Sequence, residues 1–419
     1  MSKRSPEQVF TPKTIVSREM FERRNEEDLD GNPGLQDILR DALREQGGQV
    51  VIFGDTGVGK SSLMRYAAED ELMKTVVVEC ISSKSYVDLL EDALRKLVEV
   101  KEIRRTSTRS ASAQAEAGAT LKMLVTIKGT LTGSRGKSSE YEVVEKPLID
   151  ALVAAMQASD VRILVLDNFQ NVKDDETRLL VAQTMELLSD RASATGDIKC
   201  VVIGIADDAP SLIAGSGSFR RRITEVGVPR MPDEEIREIL TRGFRLLGVR
   251  ADSSVLNDLV FYSDGFPFFA HLLGLQLSRW ARTQPDAVLV DADIDRGLKR
   301  AIKAVDRSYA EKVDRAVERG GDIQPRKTIL RILANSDRRT WKSADVIAAW
   351  EGEIGPREAY QFLHVALAAL MDEKHGAVLK RTGSRNRYTY QFADPHMRPY
   401  LRLTDFGEKI EGSRSGGGE

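Results

Sequence analysis

An eight-residue segment constrains the fold of this chain more than any other feature. It fills every fixed position of the pattern G-x-x-x-x-G-K-[ST] and consists of Gly54, Asp55, Thr56, Gly57, Val58, Gly59, Lys60 and Ser61. The apolar run 50–53 before it is typical of a buried strand, and residues 61–68 after it are typical of a helix start. A strand, a glycine-rich loop and a helix in this order predict a phosphate-binding loop. The alternative is a chance glycine-rich turn before a helix.

The residue types of this segment explain how it would hold phosphate. Its glycines let successive backbone N–H groups turn inward, and the helix N-terminus adds a partial positive charge. Lys60 would supply a point charge to the β- and γ-phosphates, and the hydroxyl of Ser61 would ligate Mg²⁺. Together with Ser62, these residues predict a site for a nucleotide and Mg²⁺.

Composition narrows the class of protein. The chain has 419 residues, of which 41% are apolar, so a sizeable core is expected in roughly two or three domains. The net charge of −2 means that any contact with nucleic acid must come from a local basic face. Cys80 and Cys200 stand in apolar runs, which predicts buried reduced thiols. The sequence shows no signal peptide and no membrane-length apolar run, so a cytoplasmic protein without membrane contact is expected.

Short apolar runs alternate with helical patterns over the first half of the chain. The runs are 50–53, 76–80, 163–166, 200–205 and, more weakly, 226–228. This alternation predicts an α/β fold, a parallel sheet with helices on both faces. The predicted domains are an N-terminal arm over 1–30, a P-loop core over 31–231, a helical lid over 232–315, a winged-helix domain over 316–408 and a disordered tail over 409–419.

Two regions support the finer parts of that organisation. An insertion over 101–140 is basic and rich in Ser and Thr, with a near-alternating stretch at 120–131 that predicts a hairpin. It is either a solvated excursion or a surface for a partner or nucleic acid. Near the C-terminus, three helical patterns precede a predicted hairpin over 378–392, as in a winged helix. The third of these helices has candidate core positions at Phe362, Val365, Leu367 and Leu370.

Acidic and amide residues follow the third apolar run. Asp167 directly follows it and is the candidate ligand of the Mg²⁺ water shell, the alternative being an aspartate that caps a turn. Hydrolytic members of this class carry an acid at the next position, where this chain has Asn168. An amide can orient water but cannot accept its proton. By position, Glu79 is a substitute or a solvent-facing residue, and Gln170 is a candidate for positioning water.

Two further candidates lie downstream. Asp207 follows the run 200–205, where a polar residue would stand beside the γ-phosphate. The segment 218–222 carries three consecutive arginines, of which Arg221 is the candidate arginine finger for a phosphate on a neighbouring subunit. The alternative is a solvated basic turn.

Together these residues resemble the AAA+/STAND group of P-loop ATPases, specifically bacterial and archaeal ATPases related to origin-recognition initiators. The segments 10–12 and 21–24 are similar to the family's F-x-G-R segment beside the adenine, with Arg23 in place of glycine, and imply that Arg24 contacts nucleotide. Residues 166–170 resemble the D-E-x-Q or D-D-F-H box. Residues 265–267 resemble the G-x-P signature of STAND lids, which implies that Pro267 couples nucleotide to lid, unless the segment is a simple helix-start turn. Residues 390–395 resemble the closing strand of the winged helix.

The resemblance implies ATP rather than GTP, because no N-K-x-D motif follows. The leading hypothesis is a switch that binds ATP and Mg²⁺ between core and lid, forms a homo-oligomer through Arg221 and signals to a protein partner or to nucleic acid. STAND relatives act in signalling and in defence against phage. Slow turnover is expected from Asn168, and a nucleotide-binding scaffold without turnover is one alternative.

The other alternative is an initiator or loader that binds double-stranded DNA. Positive and hydrogen-bonding side chains support it on the predicted wing and recognition helix, namely Lys380, Arg381, Arg385, Arg387, Arg357, Tyr360, Gln361 and His364. Glu358 and Asp372 on the same helix oppose it, and winged helices also dock proteins.

Overall fold

The computed structural model describes residues 4–25, 31, 33–98, 100–105, 120–125, 142–213, 217–305, 307–317, 324–354, 356–383, 388–404 and 406. The chain folds into two compact units. The helical unit comprises Met1–Glu22 and Arg230–Glu419 and begins with the short helix α1 (Pro6–Val9). The sheet unit comprises Arg23–Pro229.

The sheet unit alternates strands with helices. Its elements in chain order are α2 (Leu35–Arg44), β1 (Gln49–Phe53), α3 (Lys60–Asp70), β2 (Lys74–Glu79), α4 (Tyr86–Leu97), β3 (Val100–Arg105), β4 (Thr120–Val125), β5 (Glu142–Pro147), α5 (Leu148–Ala158), β6 (Val161–Asp167), α6 (Asp175–Asp190), α7 (Ala192–Thr195), β7 (Lys199–Gly204), α8 (Ala209–Leu212), α9 (Gly217–Arg220) and β8 (Ile223–Gly227).

Five parallel strands form the main sheet, in the order β2-β6-β7-β1-β8. Every residue of β7 is buried, as are the first four of β1, so helices cover both faces of the central strands. The predicted α/β fold is confirmed. Because the strands are parallel, β1, β6 and β7 end at one edge, where the loop 54–59 follows β1 and Asp167 ends β6.

The region of the predicted insertion contributes a second sheet. Strands β3, β4 and β5 pair antiparallel in that order, with Glu102 opposite Leu124 and Met123 opposite Val144. The predicted strand over 120–131 corresponds to β4 at its start. Arg109 and the predicted loop at 133–137 lie outside the described residues.

The helical unit continues after residue 230. Its further elements are α10 (Asp233–Leu247), β9 (Arg250–Ala251), α11 (Ser253–Ser263), α12 (Pro267–Ala281), β10 (Val288–Leu289), α13 (Asp291–Ala304), α14 (Arg307–Ala316), α15 (Pro325–Asn335), β11 (Trp341–Lys342), α16 (Ser343–Ile354), α17 (Pro356–Met371), β12 (Leu379–Thr382), β13 (Thr389–Phe392) and α18 (Met397–Leu403). No described helix has the length and apolar character that a membrane span requires.

A slot between two helices anchors the N-terminal segment to this unit. Phe10 is completely buried and makes edge-to-face contacts with Phe244 and His271. A Cβ at Gly243 on α10 would lie 2.2 Å from the ring, and a Cβ at Gly274 on α12 would lie 2.4 Å from it. These two glycines therefore create the space that the ring occupies.

The C-terminal part combines helices α15, α16 and α17 with a three-stranded antiparallel sheet in the order β11-β13-β12. Leu379 pairs with Phe392 and Thr382 with Thr389, which gives the hairpin that the sequence predicts. The assignment of this part as a winged helix stays a prediction. Val365 was wrong as a core position, because it is 71% exposed while Leu367 on the opposite side of the helix is buried.

A charge cluster ties α18 to the turn before α12. The carboxylate of Asp264, only 7% exposed, accepts a hydrogen bond from Arg230 at 2.6 Å and lies 3.2 Å from Arg398 and 3.4 Å from Arg402. Burial lowers the pKa of Arg398 to about 9 although Asp264 opposes that change. The Arg230 guanidinium lies 4.2 Å from the centroid of the Phe266 ring. A cation–π contact therefore adds to the ion pair between Arg230 and Asp264.

Candidate phosphate-binding site

The loop after β1 has a backbone conformation that requires glycine at its first position. Gly54 has φ +143°, and a Cβ there would lie 2.4 Å from the carbonyl oxygen of Val228. The amide of Val228 in turn donates to the carbonyl of Phe53 at 2.8 Å. The close approach of this second segment explains why the first fixed position of the motif is glycine.

Helix α3 starts at the end of this loop without a side-chain cap. Its N-cap, Gly59, has left-handed geometry (φ +96°) and makes no side-chain capping bond. The first turn of α3 carries no acidic residue. The first N–H groups of an eleven-residue helix have no partner within the helix, so they and the helix dipole attract an anion. The predicted binding residues Thr56, Gly57 and Ser62 lie in this turn or directly beside it, and Val58 packs into the core.

Lys60 lies where it can add a full charge to this anion site. Its ammonium donates to the carbonyl of Gly54 at 3.0 Å and to that of Asp55 at 2.6 Å, so the side chain folds back over the loop. Burial lowers the pKa of Lys60 to about 8, and the nearby carboxylates of Asp167 and Asp55 oppose this only in part. The nearby negative charges thus do not fully compensate the burial of this ammonium, and a bound phosphate would stabilise its charged form.

Ser61 and Asp167 form the predicted metal-binding pair. The Ser61 hydroxyl donates to Asp167 Oδ2 at 2.8 Å, although the two residues are 106 positions apart. A hydroxyl and a carboxylate are the hard oxygen ligands that Mg²⁺ prefers, with phosphate and water completing its shell. The donor set therefore fits Mg²⁺. No group of three or more His, Cys, Asp or Glu residues that could hold a metal occurs elsewhere within the described ranges.

The environment of Asp167 raises its pKa. Burial raises its pKa, while hydrogen bonds from Ser61 and from the amide of Asn168, the latter at 2.8 Å, lower it in part. The negative charge of Glu79 adds to the increase. A divalent cation would reverse this balance, since it favours the ionised carboxylate.

A chain of hydrogen bonds crosses the ends of three strands. Asn168 Nδ2 donates to Glu79 Oε2 at 2.8 Å, which joins the ends of β6 and β2. Gln170 Nε2 lies 3.5 Å from Asn168 Oδ1, and Gln170 Oε1 accepts from the amide of Ile205 after β7 at 3.1 Å. Asn168 and Gln170, both predicted near the reacting water, are therefore held by neighbours along this edge.

The two downstream candidates are exposed. Asp207 lies in the bend after β7, while its neighbour Asp208 caps α8 by accepting from the amide of Ser211 at 2.7 Å. Arg221 is exposed in the turn before β8, and Arg222 beside it is bound to Asp190 at 2.6 Å. Arg221 is therefore available for an external anion, whereas Arg222 is engaged within the unit.

The residues that resemblance alone suggested are buried. Arg24 is 6% exposed and donates to the carbonyl of Pro229 at 3.0 Å. Pro267 is the buried first residue of α12 in the helical unit. Phe10, in the segment expected beside adenine, has no exposed surface in its slot. Arg357, Tyr360 and Gln361 have no described side chains, and Arg385 and Arg387 lie outside the described residues.

Sequence reasoning missed two contacts of this edge. The Glu79–Asn168 hydrogen bond depends on the register of β2 against β6, in which Glu79 is the partner of Asp167. The closeness of Gly54 to Val228 depends on the position of β8. The sequence does place an acid, Glu79, in the second apolar run, which is a signal for the first contact. The strand-like run that ends at residue 228 is a signal for the second.

One family model is similar to part of this chain. Residues 34–195 match the family model described as "AAA ATPase domain". That range contains the phosphate-binding loop, Asp167 and Asn168. No curated protein matches the sequence significantly.

Several solved structures are similar at low identity. The ORC2 protein of Aeropyrum pernix, solved as ADPNP-ADP complexes, is 15% identical with TM-score 0.47, over 94% of this chain and 97% of that one. Cdc6p of Pyrobaculum aerophilum is 15% identical with TM-score 0.46, over 95% and 97%. The RuvB Holliday junction branch migration motor of Thermotoga maritima is 14% identical with TM-score 0.41, over 90% and 97%. These likenesses are too distant to carry a functional conclusion.

Proposed function

We propose that the protein is an ATP-dependent switch, a proposal that the match of residues 34–195 to the AAA ATPase domain model supports. It binds ATP with Mg²⁺ at residues 54–62, hydrolyses it, and couples nucleotide state to self-association and to binding of a partner. The observation that carries this proposal is the 2.8 Å contact between Ser61 and Asp167 beside the open N-terminus of α3.

Backbone amides, the Lys60 ammonium and the Ser61–Asp167 pair would each bind a different part of the magnesium nucleotide. The amides at the start of α3 and the ammonium of Lys60 bind the phosphate chain from the loop side. Ser61 and Asp167 would hold Mg²⁺, which neutralises charge on the phosphate oxygens. Loss of the Gly54 and Asp55 carbonyl contacts by Lys60 is offset by charge-assisted hydrogen bonds to phosphate.

Binding of a fluorescent ATP analogue to Lys60→Ala tests the first step. We expect affinity to fall by about 10- to 100-fold, because a hydrogen bond to a charged group contributes roughly 1.5–3 kcal/mol. Lys173→Ala, which removes an exposed lysine outside the loop, is the matched control and should bind as the wild type does. Unchanged affinity in Lys60→Ala would show that the loop is not the nucleotide site.

Size-exclusion chromatography with ATP and with ADP tests the switch. We expect a larger species with ATP than with ADP, because Arg221 would then contact the γ-phosphate of a neighbouring subunit. Arg221→Ala should remove that difference, whereas Arg220→Ala at the exposed end of α9 should keep it. Equal elution with both nucleotides would contradict self-association. Signalling and defence against phage are the settings that the resemblance to STAND ATPases suggests for such a switch.

Double-stranded DNA is the second candidate partner. Lys380 and Arg381 lie on β12, where Arg381 is exposed and its guanidinium is 4.1 Å from the Tyr388 ring centroid. Exposed cations beside a strand turn suit contact with phosphates. Binding to duplex DNA should then weaken with salt, with a smaller slope in Lys380→Ala. Absence of binding at low salt would discard this partner.

A further inference from the structure

The carboxylate of Glu79 lies beside the position where this class of site needs a base. Glu79 ends β2, and its Cα is the register partner of Asp167 at the end of β6. Its side chain is exposed, so water reaches it. Its Oε2 accepts from Asn168 Nδ2 at 2.8 Å, which holds the carboxylate next to the Ser61–Asp167 pair.

The backbone of Asn168 suits an amide in this role. Asn168 has φ +59°, a left-handed conformation that asparagine tolerates better than glutamate does. Its Nδ2 is a donor, so it orients a carboxylate, whereas its neutral amide cannot take a proton from water. Asn168 is thus equipped to position an acid that comes from another strand.

The neighbouring polar groups are already committed. Asp167 accepts from the Ser61 hydroxyl and from the Asn168 amide. Gln170 accepts from the Ile205 amide through Oε1. Glu79 is the remaining carboxylate in this hydrogen-bonded chain across the strand ends.

We propose that Glu79 is the catalytic base for ATP hydrolysis and that Asn168 is its positioning residue. In this step Glu79 takes a proton from water as the water oxygen bonds to the γ-phosphorus. The bond from that phosphorus to the bridging oxygen breaks, and ADP leaves with the electron pair. The proton on Glu79 then passes to solvent or phosphate.

This inference rests on the proposed function, and its test separates the two. Steady-state phosphate release and ATP affinity are measured for the wild type, Glu79→Gln and Lys60→Ala. Glutamine keeps an oxygen that accepts from Asn168 but cannot serve as a base. We therefore expect Glu79→Gln to lower kcat by about 10²- to 10⁴-fold while KM and ATP affinity stay within about threefold. Thermal unfolding checks that Glu79→Gln folds as the wild type does.

A double exchange tests the positioning role. Asn168→Ala should lower kcat without weakening ATP binding, because the carboxylate loses its donor. Glu79→Asn combined with Asn168→Glu returns the acid to the other strand end. Glutamate at 168 strains the left-handed backbone, but the double variant should still turn over at least about tenfold faster than Glu79→Gln. A purely structural role of the pair predicts no such recovery.

The outcomes divide cleanly. If Glu79→Gln keeps more than half of the wild-type kcat, Glu79 is not the base. If the wild type binds ATP but releases no phosphate, the inference is overturned while nucleotide binding stands. If the wild type and Lys60→Ala both fail to bind ATP, the proposed function is wrong and Glu79 has no reaction to serve.

Discussion

Replacing Lys60 by methionine should stabilise the free protein while weakening the ATP binding proposed for it. Burial lowers the pKa of Lys60 from 10.5 to about 8, so its charged form is disfavoured in the fold. At 1.36 kcal/mol for each unit of pKa, this shift destabilises the folded state by about 3 kcal/mol. Loss of the hydrogen bonds to Gly54 and Asp55 returns about 1 kcal/mol. At pH 7 the variant should therefore unfold with a free energy about 2 kcal/mol above the wild type.

The pH dependence of this difference identifies its cause. The folded-state pKa lies below the unfolded one, so the unfolded chain binds more protons between pH 8 and pH 10.5. Wild-type stability therefore gains as pH rises through this window. The electrostatic part of the difference should fall from about 3 kcal/mol at pH 7 to about 1 kcal/mol at pH 10.

The assay must report on the sheet unit. All three tryptophans, Trp280, Trp341 and Trp350, belong to the helical unit. Their fluorescence therefore reports on unfolding of that unit and not of the sheet unit. Hydrogen exchange of the buried amides in β1 and β7 reports on the sheet directly. Lys173→Met, at an exposed position, should leave that exchange unchanged. Faster exchange in Lys60→Met at pH 7, or a difference that does not shrink at pH 10, would refute the reasoning.

Two further substitutions test the helical unit. Gly243→Ala places a Cβ 2.2 Å from the Phe10 ring, so it should expel the ring, cost about 3 kcal/mol and expose residues 4–22 to protease. Gly352→Ala adds a Cβ in open space on α16, so it should leave the protease pattern unchanged and raise stability by at most about 1 kcal/mol. Asp264→Asn keeps the left-handed backbone but leaves the buried Arg398 and Arg402 and the partly buried Arg230 without their carboxylate. Tryptophan fluorescence should therefore show unfolding at about 3–5 kcal/mol lower free energy. Equal stability in either variant would show that the contact in question contributes little.

The main sheet was predictable because its central strands are buried on both faces and appear as continuous apolar runs. The strand bounds were less accurate, since polar residues begin several strands. Lys199, for example, opens β7 with a completely buried side chain whose ammonium lies 3.0 Å from Asp197. A periodicity argument counts such a lysine as solvent-exposed.

Contacts between distant segments were predictable only where a motif implies them. The pairing of Ser61 with Asp167 follows from the chemistry of a magnesium nucleotide. The slot of Phe10 depends on Gly243, more than 200 residues away, and no local pattern connects them. Glu79 was recognised as an acid at a strand end, but the register that brings it to Asn168 is a property of the folded sheet.

The hydrogen bond from Arg24 to Pro229 joins the first and last few residues of the sheet unit. A domain whose two ends meet can be cut out of a chain, or given new termini elsewhere, without stretching its backbone. Residues 23–229 should therefore be expressible as an independent fragment, and a short linker between its ends should yield circular permutants. The proposed nucleotide site would then be separable from the helical unit, whose two chain segments flank it in the sequence.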